Sequence, residues 1–281
     1  MLRIAVPNKG SLSDAAGDML REAGYRTRRD SKELVVVDKA NDLELFYLRP
    51  RDIAVYVGTG TVDCGITGRD LLLDAESPAV EVMSLGFGRS TFRYAARPGV
   101  VENVQDIAGR RVATSYPGLV EKHLASQGVT ADVVRLDGAV ETAVTLGVAD
   151  VIADVVETGT TLRSQGLEPF GEPILQSEAV LIKDPETVTG NGLERLRRRL
   201  LGVVTARSYV MLDYDCPVSQ VERACRITPG LESPTVAPLH NKSWVAVRAM
   251  VPKADSHSVM DELYEIGARA ILVTDISACR I

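Results

Sequence analysis

The 281-residue chain holds only 4 cysteines, 3 histidines and 1 tryptophan, and those scarcities remove several kinds of chemistry. Cys64, Cys216, Cys225 and Cys279 have neither CxxC spacing nor histidine partners, so no zinc site or disulfide framework is written here and buried free thiols are expected. His123, His240 and His257 stand isolated. No apolar run reaches the roughly 18 residues of a membrane span, and the apolar stretch before Pro7 is too short for a signal peptide. A cytoplasmic protein is the expectation. Positive charge is not in excess: 32 Lys and Arg against 38 Asp and Glu give a net charge of -6, so a nucleic-acid field is excluded and any phosphate binding is local. A Walker loop is missing too, because Lys9 precedes its Gly and no earlier Gly exists.

What is present is an α/β rhythm, in a chain long enough for two or three domains. LRIAV, VDCGI, RVATS, ADVVRL and VIADVV read as strands, each followed by a polar turn and a helix. SLSDAAGDMLREAG reads as a helix, opened by Ser11 with Asp14 and stopped at Gly24. IAVYV, residues 53–57, has strand propensity, yet Pro50 and Asp52 read as a helix start, and helix is the expectation. The last part changes to βαββαβ, a ferredoxin-like module: SYVMLDY, PVSQVERACRI, SPTVAPL, WVAVRAMVP, HSVMDELYEIGA and RAILVTDI. LERLRRRL, residues 193–200, is the expected bridge to it.

Phosphate chemistry is concentrated at strand-to-helix turns. In VIADVVETGTTL, Asp154 and Glu157 lie near a strand's carboxyl end, and Thr158, Gly159, Thr160 and Thr161 supply N–H groups and hydroxyls at a helix start. Acids suit ribose hydroxyls and the turn suits a 5-phosphate; an N-cap cluster beside a buried strand is the plainer alternative. PNKGS sets Lys9 and Gly10 at a similar turn, and Arg49 or Arg51 in LRPRD could clamp a polyphosphate or serve as surface charge. Tyr116 could stack on a base or pack beside Pro117. GTVDCGITGRDLL at 60–72 echoes GVADVIADVVETGTTL at 147–162, as two similar lobes would, with Thr67 to Asp70 and Asp154 to Thr161 facing one cleft.

PNKGSLS, YLRPRDI, DCGITGRDLL, RVATSYP, LDGAVE, ADVIADVVETGTTL and PGLESPTVAPL together resemble the long-form ATP phosphoribosyltransferases, in order and over nearly the whole chain. The resemblance implies a bilobed, periplasmic-binding-protein-like catalytic core of two α/β domains, residues 1–90 with 178–205 and residues 91–177. A regulatory ferredoxin-like domain, residues 206–281, would follow. It implies transfer of the 5-phosphoribosyl group of phosphoribosyl pyrophosphate (PRPP) to adenine N1 of ATP, with inversion at ribose C1 and pyrophosphate leaving, as the first step of histidine synthesis. Lys9 and Arg49 would be catalytic, Gly10, Asp70 and Tyr116 would hold ATP, and residues 154 and 157–161 would hold PRPP. Mg2+ would ride on the pyrophosphate, with no protein ligand set. Free L-histidine would inhibit at Asp215, Leu231, Ser233, Thr235 and Ala270, and the chain would assemble as a dimer to hexamer. Two adjacent acids are usual in other phosphoribosyltransferases, whereas Val155 and Val156 separate Asp154 from Glu157 here. The competing readings are a bilobed small-molecule binding or sensor protein without catalysis, and a dimeric scaffold built on the last module.

Overall fold

The computed structural model describes residues 1–156, 160–186 and 190–280, apart from the side chains of 160 and 161. In chain order come β1 (Leu2–Pro7), α1 (Ser11–Glu22), β2 (Val35–Asp38), β3 (Leu43–Leu48), α2 (Pro50–Gly58), β4 (Cys64–Gly68), α3 (Arg69–Asp74) and β5 (Val80–Ser84). They are followed by β6 (Ser90–Ala96), β7 (Arg111–Thr114), α4 (Pro117–Ser126), β8 (Asp132–Arg135), β9 (Val151–Val156), α5 (Thr160–Ser164) and β10 (Glu168–Ser177). The remainder is β11 (Ala179–Lys183), α6 (Asn191–Ser208), β12 (Tyr209–Pro217), α7 (Val221–Ile227), β13 (Thr235–Pro238), β14 (Trp244–Pro252), α8 (Ser256–Glu265) and β15 (Arg269–Asp275).

Two compact units result, one of Met1–Arg21 with Tyr25–Arg197 and one of Glu22–Gly24 with Arg198–Ile281. The first contains two mixed sheets, ordered β2-β3-β1-β4-β11-β5 and β10-β6-β9-β7-β8. This is the bilobed α/β core the sequence pointed to. In the first lobe β1 runs parallel to both β3 and β4, and in the second β7 runs parallel to both β8 and β9. Such strands have helices on both faces and are apolar along their length: Ile4, Ala5, Val6, Val151, Ile152 and Ala153 are all fully buried.

α2 settles the ambiguous IAVYV segment. Pro50 occupies its first turn behind an extended Arg49, and Ile53, Ala54 and Val57 make its buried face. That apolar stripe has helical spacing, and it packs so close to β4 that a Cβ on Gly65 would lie 2.6 Å from Ile53 Cγ2.

The second unit carries an antiparallel sheet ordered β13-β14-β12-β15. β12 alternates strictly between buried and half-buried residues, because α7 and α8 cover only one sheet face. Val210, Leu212, Tyr214 and Cys216 point into that core. The βαββαβ order is as read from the sequence, except that the helix expected to begin at Pro217 opens as a 3-10 turn, Val218–Gln220, before α7.

Candidate functional site

In the first lobe the parallel neighbours β1, β3 and β4 deliver three turns side by side at their carboxyl ends, where open α/β sheets bind ligands. β1 leads to Lys9 and Gly10, β3 to Arg49, and β4 to Asp70 in the first turn of α3. Lys9 and Arg49 are exposed. Gly10 has φ +78, a left-handed conformation that a side chain would strain. Thr67 is committed to the fold, its hydroxyl donating to the Pro50 carbonyl at 2.8 Å.

Asp70 is only 7% exposed. Its backbone N–H donates to Ser177 Oγ at 3.0 Å, and that hydroxyl donates to Asp70 Oδ1 at 2.9 Å. Ser177 was not among the residues the sequence singled out. It lies 107 positions from Asp70, and only the pairing of β11 with β4, Ala179 opposite Gly68, brings it there; no local motif carries that signal.

The second lobe contributes Tyr116 and Asp154. Tyr116 ends the turn after β7 and caps α4 at φ -128 and ψ 65, its N–H donating to Thr114 Oγ1 at 3.0 Å. Its ring meets Phe92 edge-on at 5.1 Å, so it both packs and remains half-exposed. Burial pushes its phenol pKa up, and the negative charges of Asp70 and Asp154 add to the rise.

Asp154 lies on β9 directly across from Arg93 on β6. No ion pair forms: the Arg93 guanidinium donates to the Gly171 carbonyl at 2.7 Å, and its Nε is buried without a partner among the described residues. Asp154 Oδ1 accepts from the Val155 N–H at 2.8 Å. Burial raises its pKa to about 6, opposed by that hydrogen bond and helped by the charges of Glu141 and Asp70. The charges of Asp70 and Asp154, one from each lobe, both act on Tyr116. Glu157, Thr158 and Gly159, and the side chains of Thr160 and Thr161, lie outside the described residues.

One expectation needs correction. Arg51, offered with Arg49 as a polyphosphate clamp, donates to Asp74 Oδ2 at 2.7 Å and to the Ser115 carbonyl at 2.7 Å. Its charge is already neutralised by Asp74, a carboxylate 7% exposed. Arg49 is the member of the pair whose side chain makes no capping bond at α2.

In the second unit Asp215 sits on β12 opposite Ala246 and Arg269. Ala270, next to Arg269, has φ +51 at an irregularity in the pairing of β12 with β15. Thr235 lies beyond β14, opposite Arg248, whose Nε donates to Asp213 Oδ1 at 2.6 Å. The sheet thus brings Asp215 and Ala270 together and sets Thr235 apart; Leu231 and Ser233 lie in the exposed turn leading to β13.

The family model for ATP phosphoribosyltransferase matches residues 49–202, and that for the HisG C-terminal domain matches residues 206–278. The ATP phosphoribosyltransferase of Streptomyces coelicolor is 63% identical over 100% of both chains, and that of Salinispora tropica 62% identical over 100% of both. A solved structure described as an ATP phosphoribosyl transferase (HisG:HisZ) complex from Thermotoga maritima superposes with TM-score 0.64 at 27% identity, covering 73% of this chain and 98% of that one. The likeness runs through both units and the whole length, and this chain belongs to the ATP phosphoribosyltransferase family.

Proposed function

We propose that this chain transfers the 5-phosphoribosyl group of PRPP to N1 of ATP, releasing pyrophosphate, in the cleft lined by Lys9, Arg49, Asp70, Tyr116 and Asp154. The reading is supported chiefly by one arrangement: the charges of carboxylates from both lobes, Asp70 and Asp154, act on Tyr116, while exposed cations stand after β1 and β3. Glycosyl transfer from a good leaving group needs positioning and charge stabilisation more than an enzyme nucleophile. In this reading Asp154 accepts the ribose hydroxyls, and its negative charge favours the positive charge that develops at C1. Lys9 and Arg49 neutralise the departing pyrophosphate. Residues 157–161 hold the 5-phosphate. Tyr116, Asp70 and Gly10 present the adenosine so that N1 meets C1 on the face opposite the leaving group.

Magnesium fits as an ion carried by substrate. Asp154, Glu141 and Asp70 offer the hard carboxylate oxygens it takes, and their charges already interact. Among the described residues no group of three or more acids, histidines or cysteines is close enough to enclose an ion. The ion would be held mostly by pyrophosphate oxygens and water and would supply charge neutralisation on the pyrophosphate.

The three sheets support a division into 1–90 with 178–205, 91–177 and 206–281. We assign the last part to L-histidine, whose amino group suits Asp215 and whose other polar atoms suit Ser233 and Thr235. Leu231 and Ala270 complete that site, and the chain assembles as a dimer to hexamer. The setting is the cytoplasm; no described helix is long and apolar enough to cross a membrane.

The deciding experiment follows pyrophosphate release from ATP, PRPP and Mg2+, with and without L-histidine. Release that needs both substrates and falls with histidine is expected. Release without histidine sensitivity would reduce the last part to architecture, and no release with active controls would favour the non-catalytic sensor.

A further inference from the structure

Arg51 is a cation at the cleft that the proposed reaction leaves without a task, and it is held by three residues from two other parts of the chain, Asp74 and the adjacent Ser115 and Tyr116. It rises from the first turn of α2. Its Nη1 reaches Asp74 at the end of α3, and its Nη2 reaches the Ser115 carbonyl just after β7. Its guanidinium carbon lies over the Tyr116 ring, 5.0 Å from the centroid. Asp74 is anchored in turn: its Oδ1 accepts from the Leu119 N–H at 3.3 Å. α4 comes so near that a Cβ on Gly118 would lie 2.6 Å from the Asp74 carbonyl oxygen.

We propose that Arg51, with Asp74 as counter-ion, is a positioning residue that fixes Tyr116 between the two lobes, so that ATP meets an aromatic ring already set. This rests on the reading of Tyr116 as an ATP contact. Arg51 and Asp74 come from elements of the first lobe, whereas Ser115 and Tyr116 belong to the second. A planar guanidinium can donate to two acceptors in different directions and still present a face to an aromatic ring; an ammonium cannot. The ring has another fixing, the edge of Phe92. Loss of Arg51 therefore loosens the ring without removing it. A contact group already in place spares the ligand the cost of ordering it, so the effect belongs to ATP and not to PRPP.

The test uses the full chain and pyrophosphate release, with ATP and PRPP varied separately, for Arg51→Met, Arg51→Lys, Tyr116→Ala and the double variant Arg51→Met with Tyr116→Ala. Arg51→Met is expected to raise KM for ATP by about tenfold and KM for PRPP by less than about twofold, the size of a misplaced positioning contact. Arg51→Lys keeps the charge beside Asp74 and hence the fold, but loses the second bond and the flat face, and is expected to raise KM for ATP severalfold. The double variant should be no worse than Tyr116→Ala alone within about twofold, because residues acting through one another do not add. Additive losses would mean that Arg51 meets substrate directly and would overturn the proposal. An unchanged KM for ATP in Arg51→Lys would overturn it too, and that variant decides the matter if Arg51→Met does not fold. If Tyr116→Ala leaves KM for ATP unchanged, the ATP reading of Tyr116 fails and the proposal with it; if Tyr116→Ala raises it and the Arg51 variants do not, only the positioning role fails.

Discussion

Asp154 combines a partly buried position with the absence of an ion-pair partner among the described residues, and two predictions follow at the scale of this one residue. Its pKa of about 6 means that it loses its charge in mild acid. The ionised carboxyl is acceptor-only and stabilises positive charge at C1, whereas the protonated one has an O–H of its own and no charge, so kcat/KM for PRPP should fall as pH drops through about 6, and in Asp154→Asn that limb of the profile should vanish along with at least about tenfold of the activity. Unchanged kinetics in Asp154→Asn would sink the assigned role. The same burial acts on stability with the opposite sign. The folded state holds this proton more tightly than the unfolded chain, whose aspartate pKa is about 3.9. Stability is thus lost as pH rises from about 4 to about 6, and the loss is complete above that. Asp154→Asn should stabilise the fold at pH 8 by about 2 kcal/mol in urea titration, and the gain should disappear near pH 4. At this scale the sequence displayed the acids and Tyr116 as candidates, because each stands in a short motif. Ser177 and the true partners of Arg51 were hidden, since the bonds from Asp70 to Ser177 and from Arg51 to Ser115 join residues 107 and 64 positions apart.

Elements show where local signals suffice and where they do not. α2 was resolved by its first turn: proline at the start and an acid near the N-terminal dipole outweigh the β-branched composition of IAVYV. β4 holds Gly65 because α2 lies against it, with Val57 Cγ2 3.1 Å and Ala5 Cβ 3.2 Å from where a Cβ would sit. Gly65→Ala should overpack this contact and cost about 1–3 kcal/mol in denaturant unfolding; a variant as stable as the parent would show that α2 can shift away. β10 and β11 were not singled out beforehand. β11 leaves the second lobe to lie antiparallel between β4 and β5 of the first, and its AVLIK composition says that it is buried but not which sheet it joins.

At the scale of the molecule, one unit holds the proposed chemistry and the other a helix-backed antiparallel sheet with its second face uncovered by α7 or α8. If that module receives L-histidine, Asp215→Ala should abolish inhibition while pyrophosphate release without histidine stays within about twofold of the parent; a variant still inhibited at the same histidine concentration would remove Asp215 from the site. The sequence by itself determined the α/β class and the βαββαβ ending, because periodicity, capping residues and glycine placement are local properties of the chain. Only the tertiary structure decided that β11 lies antiparallel between β4 and β5, that Arg51 is bound to Asp74, and that Asp154 forms no ion pair with the neighbouring Arg93. Those outcomes depend on which distant strands become neighbours and which charges lose their water, and no short window of sequence contains either fact.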